Sequence, residues 1–156
     1  MKNIVLIGIM GCGKTTLSRM LGEKLNRPVI DIDEYIVEKY HQTIPEMFEV
    51  SETYFRNNET AGCKDVSDLN GHIISTGGGV VLRPENIKYL KQNGIIIYID
   101  RPIDNILTDV QVTSRPLLKE GPQKLYELDK QRHQLYLEAV SYTHLRAHET
   151  RRHLVC

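Results

Sequence analysis

Residues 4–19 read IVLIGIMGCGKTTLSR, and this stretch decides the fold of the chain. It fits the pattern G-x-x-x-x-G-K-[S/T] at four fixed positions, namely Gly8, Gly13, Lys14 and Thr15. The apolar run before Gly8 predicts a buried strand, and the residues after Gly13 are spaced as in a helix. The context is therefore that of a phosphate-binding loop; the plainer alternative is a glycine-rich turn that binds nothing.

Each position of the loop has a chemical reason. Glycines let backbone N–H groups point at phosphate oxygens, and the helix that starts at Lys14 adds the positive end of its dipole. Lys14 is predicted to reach the β- and γ-phosphates, and the Thr15 hydroxyl is predicted to bind Mg²⁺. The predicted ATP contacts within the loop are Gly11, Cys12, Gly13, Lys14, Thr15 and Thr16.

Composition limits the kind of protein. The chain has 156 residues, of which 40% are hydrophobic and 26% charged, as expected of one globular domain. Lys+Arg and Asp+Glu are both 20, so bulk charge argues against nucleic acid or a membrane surface as partner. No apolar run approaches the roughly 20 residues of a membrane helix. Three cysteines without paired spacing favour a reducing, cytoplasmic location.

Apolar strand-like runs alternate with helix-like stretches, which predicts an α/β fold with a parallel sheet. We predict strands at about 3–7, 29–32, 72–76 and 95–99. The predicted helices are 14–25, 34–40, a short helix capped by Thr43 and Glu46, 52–66 capped by Ser51, 84 to a stop at Gly94, a short helix from Pro102, and 122–139.

Two carboxylates end the second predicted strand. Alternate strand residues face the same side, so Asp31 and Asp33 are expected to lie together beside the phosphate loop. One carboxylate could hold Mg²⁺ and the other could accept the proton of a substrate hydroxyl. The alternative for Asp33 is a helix N-cap.

Other candidate residues are spread through the chain. Gly77, Gly78 and Gly79 follow the third predicted strand, where a close backbone approach or merely a flexible turn would explain them. Arginines can bind a carboxylate or phosphate with two hydrogen bonds, and the candidates are Arg56, Arg115 and Arg132. Taken singly, each of these arginines is also compatible with a solvated surface position.

The ordered set GIMGCGKT, DID, YFR, TGGG, SRPLL and RHQLYLEA, within residues 1 to about 140, resembles the shikimate kinase family. The resemblance implies transfer of the γ-phosphate of ATP to the 3-hydroxyl of shikimate, a step of chorismate and aromatic amino-acid biosynthesis. It also implies a P-loop NTPase fold of nucleoside-monophosphate-kinase type, with a parallel sheet in the order 2-3-1-4-5. Mg²⁺ is the implied cofactor, and ATP and shikimate are the implied partners.

The resemblance also implies a role for each candidate. Lys14 contacts the phosphates, Thr15 binds Mg²⁺ directly, Asp31 binds it through water, and Asp33 holds the shikimate hydroxyls as candidate base. Arg56 and Arg132 bind the shikimate carboxylate, while Gly77, Gly78 and Gly79 line the shikimate site. Arg115 belongs to a lid that reaches the ATP phosphates. The implied catalytic residues are Lys14, Asp33 and Arg115.

We expect a single domain over 1–140, with a substrate-binding insert at 33–60 and a lid at about 109–121, and a monomeric protein. The segment 141–156 is an exception, because no fifth strand or adenine loop of the family is recognisable there and it reads as foreign to the family. We therefore expect either an exposed edge on the fourth strand or an uncovered hydrophobic face, together with reduced stability and an incomplete adenine pocket.

Two other functions remain open. One is another small-metabolite kinase of the same fold, such as a gluconate kinase. The other is a module that binds nucleotide but is inactive because of the altered C-terminal segment.

Overall fold

A computed structural model describes residues 1–110 and 122–141, without the side chains of 107–110 and 122. Most of the predicted lid, including Arg115, and the segment after Ser141 therefore lie outside the described residues. The elements are β1 (Asn3–Ile7), α1 (Lys14–Leu25), β2 (Val29–Asp31), α2 (Ile32–Tyr40), α3 (Ile44–Val50), α4 (Glu52–Val66), β3 (Ile73–Ser75), a 3₁₀ turn (Val80–Leu82), α5 (Pro84–Gln92), β4 (Gly94–Tyr98), α6 (Ile103–Val110) and α7 (Pro122–Ala139).

Within the described residues the strands form one parallel sheet in the order β2-β3-β1-β4. This confirms the predicted α/β class, and the order matches the first four strands of the sheet that the resemblance implied. β1 is central, and its residues Val5, Leu6 and Ile7 are fully buried between helices, as strands of parallel sheets are. The carboxyl ends of the strands thus lie along one edge, where ligands bind in folds of this class.

The capping residues Thr43 and Ser51 determine where α3 and α4 begin. The Thr43 hydroxyl accepts from the Glu46 amide at 3.2 Å, and the Glu46 carboxylate accepts from the Thr43 amide at 3.0 Å, which completes the predicted capping box of α3. The Ser51 hydroxyl accepts from the Tyr54 amide at 2.9 Å and so begins α4. Both predicted N-termini are confirmed.

Two predicted boundaries were wrong. β2 ends at Asp31, whose carboxylate accepts from the Glu34 amide at 3.1 Å and caps α2, so the N-cap is Asp31 and not Asp33. Asp33 lies in the first turn of α2, and strand alternation does not relate the two aspartates. Gly94 was expected to close α5, but it is the first residue of β4, because it pairs with Asn3 of β1. A Cβ on Gly94 would lie only 2.5 Å from the Leu90 carbonyl oxygen of α5, so the position suits glycine.

The outer edge of β4 is not left bare in the described part of the chain. The Ser141 amide donates to the Ile96 carbonyl at 3.2 Å, and the Ser141 hydroxyl accepts from the Ile96 amide at 2.9 Å. The expectation of an exposed edge was therefore wrong at this position, since the chain returns from α7 to β4 and pairs with it.

Across residues 1–110 and 122–141, no helix combines the length and apolar character needed to span a lipid bilayer.

Candidate active site

The phosphate loop leaves the end of β1 and is held by its neighbours in the sheet. The Ile99 amide donates to the Ile7 carbonyl at 2.8 Å, and the Thr76 hydroxyl donates to the Leu6 carbonyl at 2.8 Å. These bonds fasten the residues that follow β3 and β4 to the base of the loop. The loop and the residues that follow β3 and β4 consequently meet at one edge of the sheet.

The loop has the backbone form that its glycines predicted. Gly13 caps α1 with φ 102°, a left-handed conformation that favours glycine. Lys14 follows it and is 7% exposed, with its ammonium donating to the carbonyls of Gly8 and Ile9, the latter at 3.0 Å. The ammonium therefore lies against the loop itself, at the start of α1, where an anion would bind.

The side chains of the other loop residues divide into two groups. Cys12 is fully buried, with its Sγ 3.8 Å from the Lys14 Nζ, so a contact of Cys12 with ATP would have to come from its backbone. Thr15 and Thr16 are exposed at the start of α1. The Thr15 hydroxyl thus remains accessible to a ligand.

The glycines after β3 are where the predicted site residues meet. A Cβ on Gly79 would lie 2.6 Å from Nη2 of Arg56, and one on Gly78 would lie 3.6 Å from Nη1 of Arg132. A Cβ on Gly77 would lie 3.1 Å from Oδ1 of Asp33. The two guanidinium groups and the carboxylate thus pack against three consecutive glycines, and at Gly79 the Arg56 guanidinium leaves no room for a side chain.

The same glycines also contact the phosphate loop. A Cβ on Gly78 would lie 3.2 Å from the Met10 amide nitrogen and 3.8 Å from the Gly8 carbonyl oxygen. The glycines that Arg56, Arg132 and Asp33 contact therefore lie directly beside the phosphate loop.

Arg56 is held by the helix that carries it. Its guanidinium donates to Glu59 at 2.9 Å and to Glu52 at 3.4 Å, and its side chain is only 11% exposed. It also lies over the ring of Phe55, 5.1 Å from the centroid. Arg56 is thus a largely enclosed, oriented cation rather than a solvated surface group.

Asp33 has the electrostatics of a group adapted for proton transfer. Burial, together with the nearby carboxylates of Asp31 and Glu59, raises the pKa of Asp33 from 3.8 to about 6, although Lys14 and Arg56 oppose the shift. Its Oδ1 is buried without a hydrogen-bond partner in the described residues. A carboxylate in this state can accept a hydrogen bond from a bound hydroxyl.

Glu59 and Tyr136 belong to the site although the sequence analysis did not single them out. Glu59 is 1% exposed, burial raises its pKa, and its Oε2 is buried without a hydrogen-bond partner in the part of the chain described. Its spacing of three residues from Arg56 was the signal that could have found it. The Tyr136 hydroxyl donates to the Gly78 carbonyl at 2.6 Å, which no local pattern indicates.

The donor set suits Mg²⁺. Among the described residues no group of three His, Cys, Asp or Glu side chains could hold a metal by itself. A hydroxyl such as that of Thr15 and a carboxylate such as that of Asp31 are hard oxygen ligands, and Mg²⁺ usually takes few protein ligands together with phosphates and water. The residues therefore fit a metal held jointly with a nucleotide. Arg115 lies outside the described residues, so its predicted contact with the phosphates stays a prediction.

The chain is similar to shikimate kinases in sequence. The shikimate kinase family model matches residues 10–155. The shikimate kinase of Clostridium beijerinckii is 48% identical over 137 residues, which cover 87% of this chain and 81% of that protein. The shikimate kinase of Clostridium botulinum strain Alaska E43 is 44% identical over 140 residues, 89% of this chain and 85% of that protein.

Solved structures show the same relationship. A structure of shikimate kinase from Acinetobacter baumannii in complex with shikimate is 40% identical, with a TM-score of 0.83, and the match covers 91% of this chain and 82% of that one. Shikimate kinase from Bacteroides thetaiotaomicron is 31% identical, also with a TM-score of 0.83, over 90% and 84% of the two chains. The phosphate loop, the glycines beside Arg56 and Arg132, and these matches together place the chain in the shikimate kinase family.

Proposed function

We propose that the chain transfers the γ-phosphate of ATP to the 3-hydroxyl of shikimate, giving shikimate 3-phosphate and ADP. The observation that carries this proposal is the convergence of Arg56, Arg132 and Asp33 on Gly77–Gly79, directly beside the phosphate loop. Two guanidinium groups suit an anionic substrate, and a carboxylate suits its hydroxyl groups. The reaction would serve the biosynthesis of chorismate and aromatic amino acids.

The phosphate loop would bind ATP. Backbone N–H groups at the start of α1 would bind the phosphates, and the Lys14 ammonium would move from the loop carbonyls to the β- and γ-phosphates. Thr15 would bind Mg²⁺ directly and Asp31 would bind it through water. When bound, Mg²⁺ neutralises charge on the β- and γ-phosphates.

Asp33 would bind and orient the acceptor hydroxyl. With a pKa of about 6, its carboxylate is ionised at neutral pH and basic enough to take a hydroxyl proton during transfer. Its Oδ1, which is buried without a hydrogen-bond partner in the described residues, would accept the hydrogen bond from that hydroxyl. Phosphoryl transfer depends mainly on alignment and charge stabilisation, so this orientation is the larger part of its contribution.

Arg56 and Arg132 would bind the carboxylate of shikimate from opposite elements, α4 and α7. Glu59 would keep the Arg56 guanidinium in place, since it accepts from Nη1 at 2.9 Å. The backbone of Gly78 and Gly79 would approach the substrate ring, which explains why side chains are absent there. A substrate held between two helices in this way is fixed relative to the phosphate loop.

Further features belong to the same proposal. Arg115 would close over the ATP phosphates from a lid at about 109–121, and the insert at 33–60 would carry shikimate within a single domain of 1–140. The protein would act as a monomer in the cytoplasm. The segment 141–156 would contribute no native adenine contact.

Release of ADP, coupled to NADH oxidation, tests the function. Purified protein with ATP and Mg²⁺ should release ADP with shikimate and not with gluconate, and product mass should show one added phosphate on shikimate. Lys14→Ala should abolish turnover, whereas Lys24→Ala, at the exposed end of α1, should leave it intact. Faster turnover of gluconate would favour the other small-metabolite kinase, and ATP binding without shikimate-dependent release would favour an inactive module.

A further inference from the structure

Tyr136 joins the last described helix to the glycines of the site. It is fully buried, and its hydroxyl donates to the Gly78 carbonyl at 2.6 Å across 58 residues of sequence. A buried phenol with a short hydrogen bond to a backbone carbonyl holds both groups at a defined separation. The position of Gly78 relative to α7 therefore depends on this hydroxyl.

Arg132 lies one helical turn before Tyr136 and points to the same place. Its Nη1 would be 3.6 Å from a Cβ on Gly78. Burial raises the pKa of Tyr136, and the Arg132 guanidinium opposes this through its charge and a side-chain hydrogen bond. The hydroxyl therefore binds the carbonyl of Gly78, and the Arg132 guanidinium reaches the same glycine. Both Gly78 and Arg132 are components of the proposed shikimate site.

The ring of Tyr136 is held in place by aromatic packing against β4. Tyr98 at the end of β4 stacks on it with centroids 4.9 Å apart, and the Tyr98 hydroxyl lies 2.9 Å from Nδ1 of His133. The sheet therefore supports the ring, and the hydroxyl has little freedom to move. The packing of the ring and the bonding of the hydroxyl are separable, because phenylalanine keeps the first and lacks the second.

We propose that Tyr136 is a positioning residue, whose hydroxyl fixes the Gly78 backbone beside Arg132 and so holds the Arg132 guanidinium in the geometry that binds the shikimate carboxylate. The inference rests on the proposed function, because it concerns the affinity of the same site for the same substrate. Tyr136 acts through Arg132 and Gly78 and does not itself contact the reacting atoms.

The contact of Gly78 with the phosphate loop allows a positioning role of Tyr136 to be distinguished from a general disturbance of the site. A general displacement of the glycines would also disturb Met10, whose amide nitrogen would lie 3.2 Å from a Cβ on Gly78, and would weaken ATP binding as well. Loss of a positioning hydroxyl beside Arg132 should weaken shikimate binding alone. A rise in KM for shikimate alone therefore indicates a positioning role, whereas a rise in KM for both shikimate and ATP indicates a general displacement of the glycines.

The first test compares two Tyr→Phe variants of α7 in the full chain. Tyr136→Phe should raise KM for shikimate about 3- to 10-fold, the effect of losing one buried hydrogen bond, and should leave KM for ATP within about 2-fold. Tyr126→Phe, on the same helix as Tyr136, removes an exposed hydrogen bond to Asp104 of α6 and should leave both constants unchanged. An unchanged KM for shikimate in an active Tyr136→Phe, or an equal rise for both substrates, would overturn the proposal.

The second test is a double-mutant cycle with Arg132→Lys, read by calorimetric binding of shikimate well below the melting temperature of every variant. If Tyr136 acts through Arg132, Arg132→Lys should weaken binding less in Tyr136→Phe than in the unmodified chain. Additive effects would contradict the proposal, even if Tyr136→Phe also lowers the melting temperature. Failure of the unmodified chain to bind or phosphorylate shikimate would instead refute the proposed function.

Discussion

Asp33 shows how position changes the chemistry of a single residue. In a solvated strand its carboxyl would titrate near 3.8, but on the first turn of α2, buried beside Asp31 and Glu59, its pKa rises to about 6. Burial disfavours the charged form, and the neighbouring carboxylates add to the effect. The pH dependence of activity should report this residue.

We expect kcat/KM for shikimate to fall below about pH 6, because Asp33 must be ionised to accept a proton. Above that pH the dependence should be flat until another group titrates. Initial rates from acidic to mildly alkaline pH, at saturating ATP and Mg²⁺, would measure it. A profile that stays level well below pH 6 would exclude Asp33 as the base.

The stability of the folded protein should change with pH in the opposite direction to activity, because ionised Asp33 favours catalysis but disfavours the folded state. Because the pKa of Asp33 is higher in the folded chain than in the unfolded chain, the folded state binds the proton more tightly, and ionisation of Asp33 destabilises it above about pH 6. Asp33→Asn should therefore raise the melting temperature well above pH 6. The gain should shrink as the pH falls and vanish below about 3.8, where both states carry the proton. Thermal melts of the two proteins across this range provide the check, and a gain independent of pH would contradict it.

Arg132 should be needed to bind the carboxylate of shikimate. Arg132→Ala should raise KM for shikimate by a factor of about 30 or more, since truncating one partner of a buried charge pair costs about 2–5 kcal/mol, while KM for ATP should change little. The exposed Arg19→Ala on α1 is the matched control. Steady-state kinetics with each substrate varied would reveal the split, and equal increases for both would count against the assigned role.

At the scale of elements, α3 is a short helix that depends on its cap. Its seven residues contribute little intrinsic stability, and the Thr43–Glu46 capping box satisfies two amide groups at its start. α3 packs on α4, which carries Arg56 and Glu59. The cap is therefore expected to support the substrate site indirectly.

Thr43→Ala should lower the free energy of unfolding by about 1 kcal/mol, the usual cost of losing an N-cap side chain. Urea denaturation followed by circular dichroism would measure it. Glu49→Ala, on the exposed side of the same helix, makes no capping bond and should change stability by less than about 0.5 kcal/mol. If the two variants were equally destabilised, the cap would not be the cause.

At the scale of the whole molecule, the return of the chain from α7 brings Ser141 to the outer edge of β4. Ser141 pairs with Ile96 through its amide and its hydroxyl, and it covers part of the β4 edge. Exposed strand edges can pair with other chains, so we expect this contact to disfavour such pairing at Ile96. The contact joins residues 45 apart in sequence.

Ser141→Ala should destabilise the protein by about 1 kcal/mol, because the Ile96 amide loses its acceptor. Hydrogen exchange should accelerate at Ile96 more than at Val5 in the central strand. Mass spectrometry of peptides from β4 and β1 would compare them. Equal exchange at Ile96 in both proteins would show that the hydroxyl does not protect this edge.

Much of the fold followed from local patterns. The phosphate-loop motif, the capping pairs at Thr43 and Ser51 and the apolar runs of the strands each depend on neighbouring residues, and the structure confirms the elements they predicted. The errors lie at boundaries, where the end of β2 became the cap of α2 and Gly94 became the start of β4. At such points the register and close packing of the sheet decide between equally acceptable local conformations.

The sequence by itself determined the chemistry available to this protein: a loop for phosphates, carboxylates for a metal and a hydroxyl, and arginines for an anion. These are properties of residue types and short spacings, which the chain carries before it folds. Only the tertiary structure decided that Arg56, Arg132 and Asp33 meet at Gly77–Gly79, and that Glu59 and Tyr136 hold two of these groups in place. The meeting point depends on how α2, α4 and α7 pack around the sheet, and such long-range packing leaves no signal in the local sequence.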